Sequence, residues 1–139
     1  MEFKYIVSGD DFSQAGTASA DIKKKLQQLG VPVQVVKRAA IAMFEAEINM
    51  VIHAHGGEAF VAIDSDKITI VMEDHGPGIP DIELAMQPGY STAPDSARDL
   101  GFGAGMGLPN MKRNSDCMHI DSVVGKGTKV TMEIKIKDV

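Results

Sequence analysis

The chain has 139 residues, a length suited to one domain, and 44% of them are apolar, enough for a real core. A formal net charge of −5 argues against a nucleic-acid-coating surface, which needs a basic footprint. The single cysteine, Cys117, rules out a disulfide within the chain, and no apolar run is long enough for a signal peptide or a membrane span. The expectation is a soluble cytoplasmic protein. Its core should be aliphatic and Met-rich, because there are two Tyr, five Phe and no Trp.

Residues Phe3 to Val7 mix β-branched and aromatic types and read as an opening strand. Asp10-Asp11-Phe12-Ser13 offers helix-capping chemistry, and a polar helix is expected from about Ser13 to Leu29, ended by Gly30. Pro32 suits the first turn of a second helix running to about His53. In it Ile41, Phe44, Ile48 and Ile52 recur at helical spacing and should face the core. Gly56-Gly57 stops that helix. Ala59 to Ile63 and Ile68 to Glu73 then read as strands joined by the turn Asp64-Ser65-Asp66-Lys67. From Asp74 to Gly107 the chain is rich in Gly and Pro, and such a segment inside a compact domain is usually functional. A helix from about Met106 to Asn114 follows. Strands His119 to Val123 and Lys129 to Ile136 close the chain around Gly125-Lys126-Gly127. The order β-α-α-β-β-loop-α-β-β predicts a single α+β domain, a two-layer sandwich with helices on one face of a mostly antiparallel sheet.

Four stretches carry candidate chemistry. Glu45 and Asn49 stand four apart on one helix face, continued by His53. The Asn carbonyl suits a hard cation such as Mg²⁺, and the Glu could orient or deprotonate a nucleophile beside it; a solvated polar face is the other reading. Glu47 points elsewhere and reads as a surface charge. His53-x-His55 has too few ligand types around it to read as a metal site.

Asp74-x-Gly76-x-Gly78 follows an apolar strand. A carboxylate only accepts hydrogen bonds, so it selects an exocyclic amino group such as that of adenine, and the glycines let the backbone approach a flat ring. A simple surface turn is the alternative. Gly101, Gly103, Gly105 and Gly107 alternate with other residues, among them Met106, and lead into the helix start at Leu108. Bare backbone N–H groups there suit phosphates. The run is neither a Walker A loop nor, in any register, Gly-x-Gly-x-x-Gly. Last, Gly125-x-Gly127-Thr128 reads as a hairpin turn whose hydroxyl could join the adenine contact if the final strands lie beside Asp74.

These pieces, in this order, resemble the N, G1, G2 and G3 boxes of the Bergerat-fold (GHKL) ATPases, over about residues 40 to 135. Within that superfamily the chain resembles the anti-sigma-factor serine/threonine kinases. The stressosome switch kinases are nearest, through Glu73-Asp74-His75-Gly76-Pro77-Gly78-Ile79-Pro80-Asp81-Ile82-Glu83, Gly89-Tyr90-Ser91-Thr92 and Gly107-Leu108-Pro109-Asn110-Met111-Lys112-Arg113. The resemblance implies that Asn49 binds Mg²⁺ and that Glu45 is the catalytic base. It implies that Asp74 and Thr128 hold adenine, that Gly76 and Gly78 shape the ring pocket, and that Gly101, Gly103, Gly105, Met106, Gly107 and Leu108 line the ATP phosphates beneath a lid near 87 to 102. Lys112 and Arg113 are open to phosphate or partner contacts, with surface charge the favoured reading. The stretch Ala93 to Asp99 is longer than in compact members, and His75 stands where Asn is common. The implied partners are ATP and an anti-sigma antagonist (STAS-like) protein as phosphoacceptor, with a sigma factor and a homodimer also admitted, and with no nucleic acid or membrane. The rival readings are an ATP-dependent anti-sigma factor without catalysis, a detached histidine-kinase-like domain, and an ATPase with no protein acceptor. Glu45 favours a hydroxyl acceptor.

Overall fold

The computed structural model describes residues 1–9, 12–54, 56–79, 81–86 and 107–136. Strand β1 (Glu2–Val7) is followed by a single 3-10 turn and two helices, α1 (Thr17–Gln28) and α2 (Val33–His53). The hairpin β2 (Gly57–Ile63) and β3 (Lys67–Glu73) comes next, then the short α3 (Ile82–Ala85), α4 (Gly107–Arg113), β4 (Cys117–Val123) and β5 (Gly127–Lys135). All five strands form one antiparallel sheet in the order β1-β2-β3-β5-β4. The last strand is therefore not an edge: β5 lies between β3 and β4, with Met72 opposite Val130 and Ile70 opposite Met132.

Alternate residues of the three inner strands are buried: Ala59 and Val61, Ile68, Ile70 and Met72, Val130, Met132 and Ile134. This period of two gives the sheet one covered face. Ile22 and Leu26 of α1 and Ala39, Met43 and Met50 of α2 join them in a single cluster. Each large aliphatic side chain buried there contributes about 1.5–3 kcal/mol. The two-layer α+β sandwich expected from the element order is the fold observed, with α3 as an addition. Asp81 caps α3 by accepting a bond from the Leu84 N–H at 3.0 Å.

Helix α2 turns a different stripe inward than the large-residue spacing predicts. Ile48 is buried, but Ile41 and Ile52 are half-buried and Phe44 is 38% exposed. The buried positions include Val36, Ala39, Ala42, Met43, Ala46, Glu47, Met50 and Val51. The helix packs on the sheet and also against α1 and α4, so its inward surface is wide. Alanines mark where neighbouring backbones come close, and large apolar spacing alone misses that.

Glu47 corrects the expectation of a surface charge. It is 1% exposed, and its carboxylate caps α1. Oε2 accepts bonds from the N–H groups of Gly16 (3.0 Å) and Ala18 (3.1 Å), and Oε1 accepts from Ser19 (3.0 Å). Helix N-termini have orphan N–H donors and a positive end, and both favour a carboxylate. The local N-cap residue is Gly16, at φ +93°, which has no side chain to do this. The predicted start near Ser13 accordingly shifts to Thr17, because the cap comes from another helix.

Candidate functional site

One face of α2 organises the site. Glu45, Asn49 and His53 succeed one another at four-residue steps, about 12 Å from first to last. Glu45 meets α4: the Asn110 side-chain N–H donates to Glu45 Oε1 at 3.3 Å. Burial pushes the Glu45 carboxyl above its ordinary range, and the Asn110 bond pulls the other way. Asn49 meets the first residue of α4. A methyl group built on Gly107 would stand 2.9 Å from Asn49 Nδ2 and 3.0 Å from Oδ1, so any side chain there would have to push the Asn49 amide aside. The 45–110 and 49–107 contacts run in opposite directions along the two helices, which pack antiparallel here. Leu108 is buried in the core, so among the described residues Gly107 is the part of the glycine-rich run that reaches the site. Gly101, Gly103, Gly105 and Met106 lie outside the described residues, as does the expected lid.

At the far end of α2, burial lowers the basicity of His53, and the nearby Asp74 carboxylate partly offsets this. Asp74 leaves β3 and is fixed by β5. Its N–H donates to the Thr128 carbonyl at 2.9 Å, while its Oδ1 accepts from the N–H groups of Gly76 (2.9 Å) and Thr128 (3.2 Å). With Oδ1 held by two backbone N–H groups, the direction of the carboxylate is fixed. Thr128 does lie beside Asp74, but its backbone, not its hydroxyl, supplies the bond. The hydroxyl pairs with Ser122 Oγ at 2.9 Å. Ser122, which the sequence did not single out, also accepts the Ile79 N–H at 2.7 Å and so ties the Asp74 loop to β4. The Gly125 N–H donates to the Pro77 carbonyl at 2.9 Å and adds a second tie.

The two glycines after Asp74 make close approaches within the protein. A methyl on Gly76 would lie 2.6 Å from Ala54 Cβ. Gly78 sits at φ +79°, and a methyl there would lie 2.6 Å from the Val123 carbonyl oxygen. They seat the loop between the end of α2 and the β4–β5 turn, and so fix the direction of the Asp74 carboxylate. Lys112 and Arg113 are exposed, as expected of surface charge. His75 is exposed as well. Asn110, Ser122 and the capping role of Glu47 are what sequence reasoning missed. Asn110 could have been found from its place three residues after Gly107 on one helix face.

The family model described as "Histidine kinase-, DNA gyrase B-, and HSP90-like ATPase" matches residues 34–138, which include every candidate site residue. The chain belongs to that family. Within this ATPase family it stands in the anti-sigma-factor branch. An anti-sigma F factor of Clostridium acetobutylicum is 33% identical over 140 residues, covering 97% of this chain and 92% of the relative. The serine/threonine-protein kinase RsbT of Bacillus subtilis is 33% identical over 108 residues, 75% of each chain. The structure of the RsbU and RsbW domains of Rv1364c from Mycobacterium tuberculosis superposes with a TM-score of 0.67 over 100% of this chain and 33% of that one. At 14% identity this last likeness shows the fold alone. Membership makes the chain an ATP-binding domain of the GHKL type. Among the described residues no helix is long and apolar enough to cross a membrane.

The residues present fit a nucleotide with a hard cation. Asp74 offers a fixed acceptor, Asn49 a neutral side-chain oxygen, and Gly107 a helix start with no side chain in the way.

Proposed function

We propose that this chain is a cytoplasmic protein serine/threonine kinase that transfers the γ-phosphoryl group of ATP to a hydroxyl on an anti-sigma antagonist (STAS-like) protein. The observation that carries the reading is the pairing of a half-buried carboxylate, Glu45, with Asn49 one turn along, both against α4. A lifted carboxyl beside the cation ligand suits a base that takes a proton from an alcohol.

In this reading Asp74 Oδ2 accepts the adenine amino group, and Asn49 holds Mg²⁺, which supplies charge neutralisation on the phosphates. Glu45 takes the acceptor hydroxyl's proton as that oxygen bonds to the γ-phosphorus. The bond to the departing ADP oxygen breaks in the same displacement. Two relatives support a regulatory setting, one named as an anti-sigma F factor and one as a serine/threonine kinase. The similarity to anti-sigma F factors over almost the whole chain favours a second role, sequestration of a sigma factor.

The test is incubation with γ-labelled ATP and a lysate of the source cells, using wild type and Glu45→Ala. Wild type should place acid-stable label on one small protein. Glu45→Ala should slow that labelling roughly a hundredfold or more, leaving a measurable residual rate, while binding Mg·ATP with near-normal affinity by calorimetry. Normal labelling by Glu45→Ala would remove Glu45 as the base, and acid-labile label would point to a histidine acceptor. Retention of an RNA-polymerase sigma subunit in a pull-down would support the second role.

A further inference from the structure

We propose that Asn110 is a positioning residue for Glu45, holding one carboxylate oxygen so that the other faces the acceptor hydroxyl. This rests on the kinase reading above. The orientation of the Asn110 amide is not arbitrary. Arg113 Nη1 lies 3.4 Å from Asn110 Oδ1, and a guanidinium can only donate. The amide oxygen therefore turns to Arg113 and the NH2 group turns to Glu45 Oε1 at 3.3 Å. A donor facing the carboxylate favours its ionised form, the form a base must have.

The same short helix touches both the candidate base and the candidate cation ligand. Gly107 abuts Asn49, and Asn110, one turn later, reaches Glu45. Because Glu45 and Asn49 stand four apart on α2, one turn of α4 reaches both. Glu45 alone has rotamer freedom at a half-buried helix surface, and a single bond from a packed neighbour removes much of it.

The test uses the full chain in four forms: wild type, Asn110→Ala, Glu45→Ala and the double variant. Label transfer from γ-labelled ATP to the lysate acceptor is measured at saturating Mg·ATP, and nucleotide affinity by calorimetry. Asn110→Ala should lower the transfer rate about tenfold with little change in affinity. It should cause no further loss in the Glu45→Ala background, because it acts through that residue. In the nucleotide-free protein, the Asn110 side-chain amide signal in nitrogen-15 NMR should move when Glu45 becomes Ala. A wild-type rate for Asn110→Ala, an equal loss in both backgrounds, or an unmoved amide signal would each overturn the proposal while leaving the kinase reading intact. A wild type that binds Mg·ATP but labels no protein would bring down the kinase reading and this proposal together.

Discussion

Asp74 and Thr128 are bonded to each other twice, once through the Asp74 N–H to the Thr128 carbonyl and once through the Thr128 N–H to the Asp74 carboxylate. The first bond extends the β3–β5 ladder, and the second orients a side chain at its end. Asp74→Asn keeps the size of the group but replaces one acceptor with a donor. If the NH2 group faces the ligand, it confronts the adenine amino group; if it turns inward, it confronts two backbone N–H groups. Mg·ATP affinity should fall about tenfold to a hundredfold, measured by calorimetry. Unchanged affinity would mean that Asp74 is only a turn former.

Gly107→Ala separates helix propensity from site geometry. Gly107 opens α4, where alanine gains only part of its interior advantage of about 1 kcal/mol over glycine, so the thermal midpoint should stay near wild type. The added methyl must push the Asn49 amide aside, since it would lie 2.9 Å from Nδ2. Magnesium-dependent nucleotide affinity should weaken roughly tenfold. A variant that binds Mg·ATP normally would show that Asn49 is no ligand, or that it moves at no cost.

Much of the fold was legible because glycine and proline punctuate the chain. The order of strands and helices, the β2–β3 turn and the end of α2 all followed from local signals. The carboxylate of Asp74 was legible too, since it stands at a strand end before glycines. What stayed hidden depends on distant partners. Glu47 looks like any helix-surface acid until α1 folds back and presents bare N–H groups from residues 16 to 19. Asn110 acquires meaning only when α4 docks antiparallel on α2, 65 residues from Glu45 in sequence. Phe44 misled the reading of the core because helical spacing ranks residues by size, while closeness of approach favoured the alanines.

The Glu47 cap gives the largest expected stability effect. Glu47→Ala leaves three N–H groups at the α1 start without their acceptor in a buried place. The loss should be on the order of 3 kcal/mol, read from the urea midpoint at unchanged slope. Glu47→Gln keeps one acceptor oxygen but points an NH2 group at donors, so it should destabilise less than Ala without matching wild type. A midpoint for Glu47→Ala within error of wild type would contradict the cap.

His53 should make stability depend on mild acid. Burial disfavours its imidazolium, so its folded affinity for a proton lies below the ordinary value of 6.5. As pH falls through that value the unfolded chain takes up the proton first, and stability drops. The drop ends once the pH is below the folded value. Thermal midpoints at about pH 7.5 and about pH 5.5 should therefore differ more for wild type than for His53→Gln. Equal drops in the two proteins would assign the acid sensitivity to other groups.

The sheet order has a consequence for synthesis. The strand that fixes Asp74 is made about 54 residues after it, and it slots into the interior of the sheet instead of adding to the rim. A nascent chain that has emerged only as far as β4 holds Asp74 Oδ1 through the Gly76 N–H alone and lacks both Thr128 bonds. Nucleotide can stabilise the folded protein by mass action, then, but it cannot template the early stages of folding, and a chain cut short before residue 127 should gain no protection from ATP.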